Sequence, residues 1–290
     1  MNTISNCPIC DHDAFKLFLK GKDYSVSQEF FNIVSCNKCG FHFTNPIPSE
    51  AKIGAYYKSE SYVSHSSSNK GLINKIYLQV RKYTLKKKVD LVKQFTKSDG
   101  LLDIGAGTGH FINACQSKGI NALGLEPDED ARNYGVSNFN VNVKDINELH
   151  VLKDNSRDVI TMWHVLEHVY HLNRDVEKIT RILKDDGKLI VAVPNMNSYD
   201  AKIYGEFWAA FDLPIHLYHF TPSDIEALFD KYNLKIDEIL PMNFDSFYVS
   251  MLSEKYKGGN LMRAFWNGLL SNIKAKKGTY SSQIYILSKK

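Results

Sequence analysis

The stretch LLDIGAGTGHF, Leu101 to Phe111, constrains this chain more than any other part of it. An apolar run ends in Asp103. A turn carrying Gly105, Gly107 and Gly109 follows, then a helix-like stretch, then a second apolar run, LGLEP, with Glu126 at its end. The order is strand, tight loop, helix, strand, acid. Glycines let the backbone adopt φ > 0 and let a ligand come close to the main chain. An acid at the end of the second strand suits a ribose diol, which offers two hydroxyl donors. The pattern therefore asks for a nucleoside-containing guest.

The dinucleotide fingerprint G-x-G-x-x-G is broken here, because His110 stands at the third glycine position. No Lys-Ser or Lys-Thr follows the loop, which excludes a P-loop. Taken alone, the glycines would fit an ordinary strand-to-helix turn. With the segments that follow, the chain resembles the class I S-adenosylmethionine-dependent methyltransferases. Asp145 and Ile146 in VNVKDINEL match the place where that family reads adenine. Arg157 to Val169 resembles its fourth strand and following loop, and Leu183 to Asn195 its fifth strand. Ile215 to Phe229 is similar to a loop and helix of a small-molecule branch. The resemblance spans roughly residues 99 to 240. It implies an α/β fold, a Rossmann-like, mostly parallel sheet of seven strands with helices on both faces, closed by an antiparallel strand near Ser282 to Ser288. It also implies cofactor contacts from Asp103, Gly105, Gly107, Gly109, Glu126, Asp145, Ile146 and Trp163.

Periodicity agrees with such a sheet. Strands are expected near 100–104, 120–125, 139–142, 157–163, 187–193, 234–240 and 281–288, and helices near 109–118, 127–135, 173–183 and 222–231. Alternation of this kind implies parallel strands, with the ligand at their carboxyl ends.

Before this domain come two CxxC pairs, Cys7/Cys10 and Cys36/Cys39, with Gly40 after the second. Four thiolates complete a closed tetrahedral zinc site, structural rather than catalytic. Two disulfides or redox pairs are the alternative; a cytoplasmic chain argues against disulfides. Cys115, in the helix after the glycine loop, reads as a buried bystander.

The expected organisation is a zinc-binding module at 1–45, with a short strand around Phe41 and Phe43; a loop and helical lid segment at 46–98; and a methyltransferase domain at 99–290. Ser59 to Asn69 reads as a mobile loop. Leu72, Ile76, Val80 and Tyr83 begin a helical period that leads toward Gly100. Residues 195–220, rich in aromatics, read as a substrate lid, or else as a satellite apolar cluster. Glu254 to Gly278 reads as a helix around LMRAFWNGLL.

The chain has 290 residues, 43% hydrophobic and 12% aromatic, and a net charge of +4. That charge is too small to imply a polyanion partner. The cations crowded between Lys70 and Lys97 read as the solvated face of a helix, and a nucleic-acid partner is not expected. No apolar run approaches the roughly 18 residues of a membrane span, and the first residues show no signal-peptide pattern. A cytoplasmic protein is expected.

Methyl transfer to a neutral hydroxyl also needs a proton removed, and histidine suits that near neutral pH. The resemblance points to His168, ending Leu-Glu-His, as the residue facing the acceptor. Some members with a four-cysteine module are sugar C-methyltransferases that use a second histidine, matched here by His216, with His219 a further candidate. His164 is weighed lower, Glu167 reads as structural, and Tyr218 could bind the acceptor or pack. No carboxylate cluster of the kind a metal-dependent catechol site needs is visible. The expected partner is a small-molecule acceptor, such as a nucleotide-linked sugar, glycan or secondary-metabolite intermediate, methylated at oxygen or carbon. An RNA or protein methyltransferase and a catalytically inactive cofactor-binding module are the rivals.

Overall fold

The computed structural model describes residues 1–57, 72–276 and 278–290. The expectations for Ser59 to Asn69, for Lys70, and for the side chains of Leu72 and Ile76 lie outside the described residues. The elements begin with strands β1 (Phe15–Lys22), β2 (Phe30–Cys36) and β3 (His42–Thr44). After a helical turn at Glu50–Ile53 come helix α1 (Leu72–Lys93), β4 (Leu101–Ile104), α2 (His110–Gln116), β5 (Ala122–Glu126), α3 (Glu129–Phe139), β6 (Val143–Asp145) and β7 (Arg157–Trp163). The chain continues through α4 (Leu172–Ile182), β8 (Leu183–Pro194), α5 (Tyr199–Tyr204), β9 (Tyr218–His219), α6 (Pro222–Asp230) and β10 (Leu234–Pro241). It ends with α7 (Asp245–Lys257), α8 (Leu261–Lys274) and β11 (Ser282–Lys289).

The main sheet has seven strands in the order β10-β11-β8-β7-β4-β5-β6. The strands from β8 to β6 pair in parallel, and β11 runs antiparallel to both its neighbours. The chain leaves β4 toward β5 on one side and β7 lies on the other. That reversal of direction is where open α/β sheets hold their ligands.

Successive residues of the central strands enter different cores, which is what makes their apolar runs continuous. Leu102, Ile104, Leu123, Leu125, Ile160 and Met162 pack on one face with Leu172, Val176 and Ile179 of α4 and Ile225 and Leu228 of α6. Leu101, Ala122, Val159 and Ile190 pack on the other with Val89 and Val92 of α1 and Phe111, Ile112 and Cys115 of α2. Cys115 is fully buried, as a bystander would be. Burying each such Leu, Ile, Val or Phe contributes about 1.5–3 kcal/mol.

One strand differs from the expected position. Residues 139–142 read as strand, but Phe139 ends α3, Asn140 caps it in the left-handed region at φ 52, and β6 starts at Val143. A left-handed cap stops a helix and re-aims the chain.

The N-terminal strands join a second sheet, β1-β2-β3-β9, whose last strand comes from the methyltransferase region. His42 pairs with His219 and Phe43 with Tyr218. Phe41 and Phe43, both fully buried, share the main core with Tyr218 and Phe220. Tyr218 is 4% exposed and packs; its ring is stacked on Phe41. Residues 199–211 are built into the structure in the same way. Tyr204, Trp208 and Phe211 form a third cluster with Phe31, Ile33 and Val249, so this stretch has the character of a packed wall. α7 and α8 form a helical hairpin turned at Gly258, whose φ is +74. They lie so close that a Cβ on Gly268 would come within 2.9 Å of the Phe247 main chain.

Candidate active site

The glycine loop and the carboxyl ends of four strands, β4 to β7, lie along one side of the main sheet. Gly105, Gly107 and Gly109 all have positive φ, at +74, +52 and +76, but they serve different ends. A Cβ on Gly105 would fall 2.3 Å from Val165 Cγ2, and one on Gly109 would fall 2.8 Å from Val141 Cγ2. Those two glycines make room for the protein itself. A Cβ on Gly107 would meet nothing within 4 Å; this is the glycine that faces open space.

Asp103, 2% exposed at the end of β4, accepts the Thr161 hydroxyl at 2.6 Å. Burial pushes its carboxyl up to about 7, against the pull of Thr161 and Lys88. Glu126, 9% exposed at the end of β5, accepts from the Gly107 N–H at 2.8 Å and the Asp128 N–H at 3.0 Å, and burial raises its carboxyl. Asp145, at the end of β6, accepts from the Asn147 N–H at 2.9 Å and pairs with Arg132 Nη1 at 3.2 Å. Ile146 follows it in a short 3₁₀ turn. Trp163, at the end of β7, packs T-shaped against Phe111 and holds its buried Nε1 without a hydrogen-bond partner. The eight residues expected on the cofactor side thus fall on the glycine loop and on the ends of β4 to β7.

Two residues join them that the sequence did not single out. Lys88 belongs to the run of cations that reads as a solvated face. Lys82, Lys86, Lys87 and Lys93 are indeed exposed, but Lys88 turns inward and sets its Nζ 4.3 Å from the Trp163 ring centroid. Burial lowers its ammonium, opposed by Asp245 and Asp103. The second is Asp245, which α7 brings to the exit of β7.

There the chain makes a sharp turn, with His164 at φ 58. The His164 ring is held between Asp245 Oδ2, 2.9 Å from Nε2, and Glu167 Oε1, 3.3 Å from Nδ1. Burial alone would lower this imidazole, but the two carboxylates raise it to about 10, so it is charged at neutral pH. Glu167 is 0% exposed. Its main-chain carbonyl accepts from the Leu217 N–H at 2.7 Å and so ties this turn to the segment ahead of β9.

His168 and His216 meet in this place. Their ring centroids are 4.6 Å apart. The His168 Nδ1 lies 2.9 Å from the Ile215 carbonyl and 3.0 Å from the Tyr57 hydroxyl. The His216 Nδ1 lies 2.9 Å from the Ala210 carbonyl. Burial lowers both imidazoles, His168 to about 4, with each other's proximity adding to the shift at His168. His219 does not join them. It is 4% exposed, with Nε2 held 3.1 Å from Thr44 Oγ1. The same hydroxyl donates to the His216 carbonyl, so Nε2 of His219 is the donor in that pair, and the ring ties β9 to β3 within the second sheet.

The four N-terminal cysteines converge. All four sulfurs lie within 4.8 Å of one another, with Cys7 and Cys39 at 3.6 Å and Cys10 and Cys36 at 3.5 Å. Such spacing is far longer than a disulfide's roughly 2.05 Å. It suits a tetrahedron with arms of about 2.3 Å. The two pairs are built alike: the Asp11 N–H bonds the Cys7 carbonyl, the Gly40 N–H bonds the Cys36 carbonyl, and Asp11 and Gly40 both have positive φ.

The family described as "Methyltransferase domain" matches residues 75–239, more than half of the chain. The chain belongs to that family. It is an enzyme family, and the seven-stranded fold is that of its class I, S-adenosylmethionine-dependent members. An uncharacterized protein of Methanocaldococcus jannaschii is 37% identical over 123 residues, 40% of this chain and 52% of the relative. The chain thus spans about half the length of that protein. A ubiquinone biosynthesis O-methyltransferase of Pelagibacter ubique is 26% identical over 162 residues, 51% of this chain and 67% of the relative. Among solved structures, a geranyl diphosphate C-methyltransferase from Streptomyces coelicolor aligns with a TM-score of 0.54 at 12% identity, over 79% of this chain and 88% of that one. A SAM-dependent methyltransferase from Archaeoglobus fulgidus aligns at 0.50 and 20%, over 72% and 94%. At these identities the solved structures speak for the fold alone. No helix among the described residues is long and apolar enough to cross a membrane.

Proposed function

We propose that this protein transfers a methyl group from S-adenosylmethionine to a small-molecule acceptor, and that a structural zinc ion holds its N-terminal sheet. The observation that carries the first reading is the placement of Glu126 beside the open side of Gly107. A carboxylate offers about four lone-pair sites. Gly107 and Asp128 take two of them, which leaves capacity for the two hydroxyls of a ribose. Asp145, steadied by Arg132, and Ile146 would then meet adenine, and Asp103 the ammonium of the methionine part. Bound there, the cofactor supplies a methyl group already activated on a sulfonium.

The chain's own residues position the acceptor and manage its proton. Alignment of reacting groups supplies much of the acceleration in such a displacement. His168 and His216, kept neutral by burial, present imidazoles able to take a proton from an acceptor. The named relative acts in ubiquinone biosynthesis, which supports a small acceptor here. Nucleotide-linked sugars, glycans and secondary-metabolite intermediates are the candidate acceptors, methylated at oxygen or carbon. The net charge of only +4 favours a small acceptor over RNA.

Calorimetry tests the cofactor site. Wild-type protein should bind S-adenosylmethionine, and Glu126→Ala should weaken binding by roughly 1–3 kcal/mol, the range for a lost charged hydrogen bond. Equal affinity in the two proteins would remove Glu126 from the site, and no binding to wild type would remove the function. The pH dependence gives a second check. Asp103 attracts an ammonium only when ionised, and its carboxyl sits at about 7. Affinity should therefore fall as pH drops from 8 to 6, by at most about tenfold per pH unit below 7. A flat profile in the wild type, or an unaltered slope in Asp103→Asn, would contradict that role.

A further inference from the structure

One ligand atom from each of Glu167, His168 and His216 lies within 4.8 Å of the other two. We propose that these three side chains form a binding site for a divalent transition-metal ion, with coordination positions left open toward the acceptor. The proposal deepens the reading of this place as the acceptor end of a methyltransferase and rests on it.

The hydrogen bonds around the trio are those of a ligand set. A carbonyl oxygen can only accept, so the His168 Nδ1, 2.9 Å from the Ile215 carbonyl, carries the ring hydrogen and its Nε2 keeps a lone pair. The same holds for His216, whose Nδ1 faces the Ala210 carbonyl at 2.9 Å. Metal-bound imidazoles almost always donate their other N–H in this way, which fixes tautomer and ring direction.

The carboxylate gives the independent observation. Glu167 is 0% exposed, and its Oε2 is buried with no hydrogen-bond partner. Its other oxygen faces His164. A buried carboxylate oxygen without a partner is costly, and a cation between it and two imidazole lone pairs would satisfy it. Asp212 Oδ2, 4.0 Å from the His216 Nε2, adds negative charge at the rim.

Two imidazoles and one carboxylate leave a four- or six-coordinate ion with free positions, as in catalytic zinc sites and non-haem iron sites. The four thiolates at the N-terminus leave none. The two sites therefore differ in both ligand softness and openness. With an ion in place, the His168 and His216 lone pairs are committed to it, and polarisation of an acceptor oxygen falls to the ion.

The test uses the full chain purified with its thiolate site filled, titrated with Co²⁺ and followed by calorimetry and visible absorption. We expect a further ion per chain, with the weak bands of nitrogen and oxygen ligands and no added thiolate charge-transfer band. Glu167→Gln and His168→Asn should each weaken that binding at least about tenfold. Both variants are checked for circular dichroism and for retention of the thiolate-bound ion, so a misfolded variant is recognised and the other decides. No binding of a further ion to wild type, or equal binding in two folded variants, overturns the proposal. Binding of S-adenosylhomocysteine is measured on the same samples. If it binds and no further ion does, the metal site fails while the methyltransferase reading stands; the opposite result separates them the other way.

Discussion

Stripping the metal from Cys7, Cys10, Cys36 and Cys39 should unfold the N-terminal sheet and reach as far as the acceptor pocket. Binding of a structural zinc ion is folding free energy, with apparent values of about 10–16 kcal/mol in zinc-finger peptides. The outermost strand that depends on it, β1, is largely exposed: Leu17 is 61% exposed and Phe18 47%. That strand has little buried surface of its own to replace a lost ion. The damage should also spread, because β3 pairs with β9 and Thr44 Oγ1 donates to the His216 carbonyl. Protein purified without added metal should carry zinc tightly by elemental analysis. A strong chelator, or Cys36→Ser, should lower the melting temperature by more than 10 °C on the scale of about 2–4 °C per kcal/mol for chains near this size. It should also expose residues 1–44 to protease. S-adenosylmethionine binding should suffer less, since its residues lie on the main sheet. Protein that holds no zinc and melts identically in chelator would refute the assignment.

The parts of this molecule that were legible from sequence are those whose causes are local. Leu101 to Ile104, Ala122 to Glu126 and Leu189 to Val193 show continuous apolar runs because a parallel sheet is covered on both faces. The two CxxC pairs announce a cluster of four cysteines because each pair needs only one tight turn. The parts that were missed depend on contacts between distant residues. Two residues, Tyr218 and His219, form β9 only because β3 lies beside them, and no period of two can show in so short a strand. The sequence places no strand at 15–22 either, and β1 exists through its pairing with β2. The surroundings of the histidines depend on distant residues in the same way. His164 carries little signal in Trp-His-Val-Leu-Glu-His, yet it is the charged one, because Asp245 comes from 81 positions away. His219 sits in the second sheet, bonded to Thr44. Lys88 looked like its exposed neighbours until α1 was laid against the sheet, which turned that one position inward over Trp163.

Asp158→Ala should cost about 3 kcal/mol of stability while leaving the chemistry of the site intact. Asp158 is 1% exposed at the start of β7. Its Oδ2 accepts from the N–H groups of Lys97, Asp99 and Gly100 at 2.8, 2.9 and 2.9 Å, and Lys184 Nζ lies 3.2 Å from its other oxygen. It thereby pins the turn that feeds β4 to the first residues of β7, the two strands that flank the glycine loop. Alanine would leave those donors without their acceptor. The Gly100 N–H is buried and bears most of the penalty, about 1–3 kcal/mol, and the other two add to it in part because water can reach them. Gly100 cannot move aside: its φ is +77, and a Cβ there would fall 2.2 Å from the Asn121 carbonyl. The melting temperature should fall by roughly 6 °C. The sign with pH follows from the same bonds. Burial works against the charged form, but the three N–H donors and Lys184 hold the carboxyl below its ordinary value. The stabilisation is therefore present above the unfolded carboxyl's pKa, near 3.9, and is lost as pH falls through the lower value of the folded state. The difference in stability between wild type and Asp158→Ala should be constant from pH 7 down to about 5 and shrink below about 4. S-adenosylmethionine affinity, measured below the melting range, should match the wild type. A variant of unchanged stability would show that this carboxylate does not hold the two strands together. Weakened cofactor binding in a stable variant would show that it acts on the site instead.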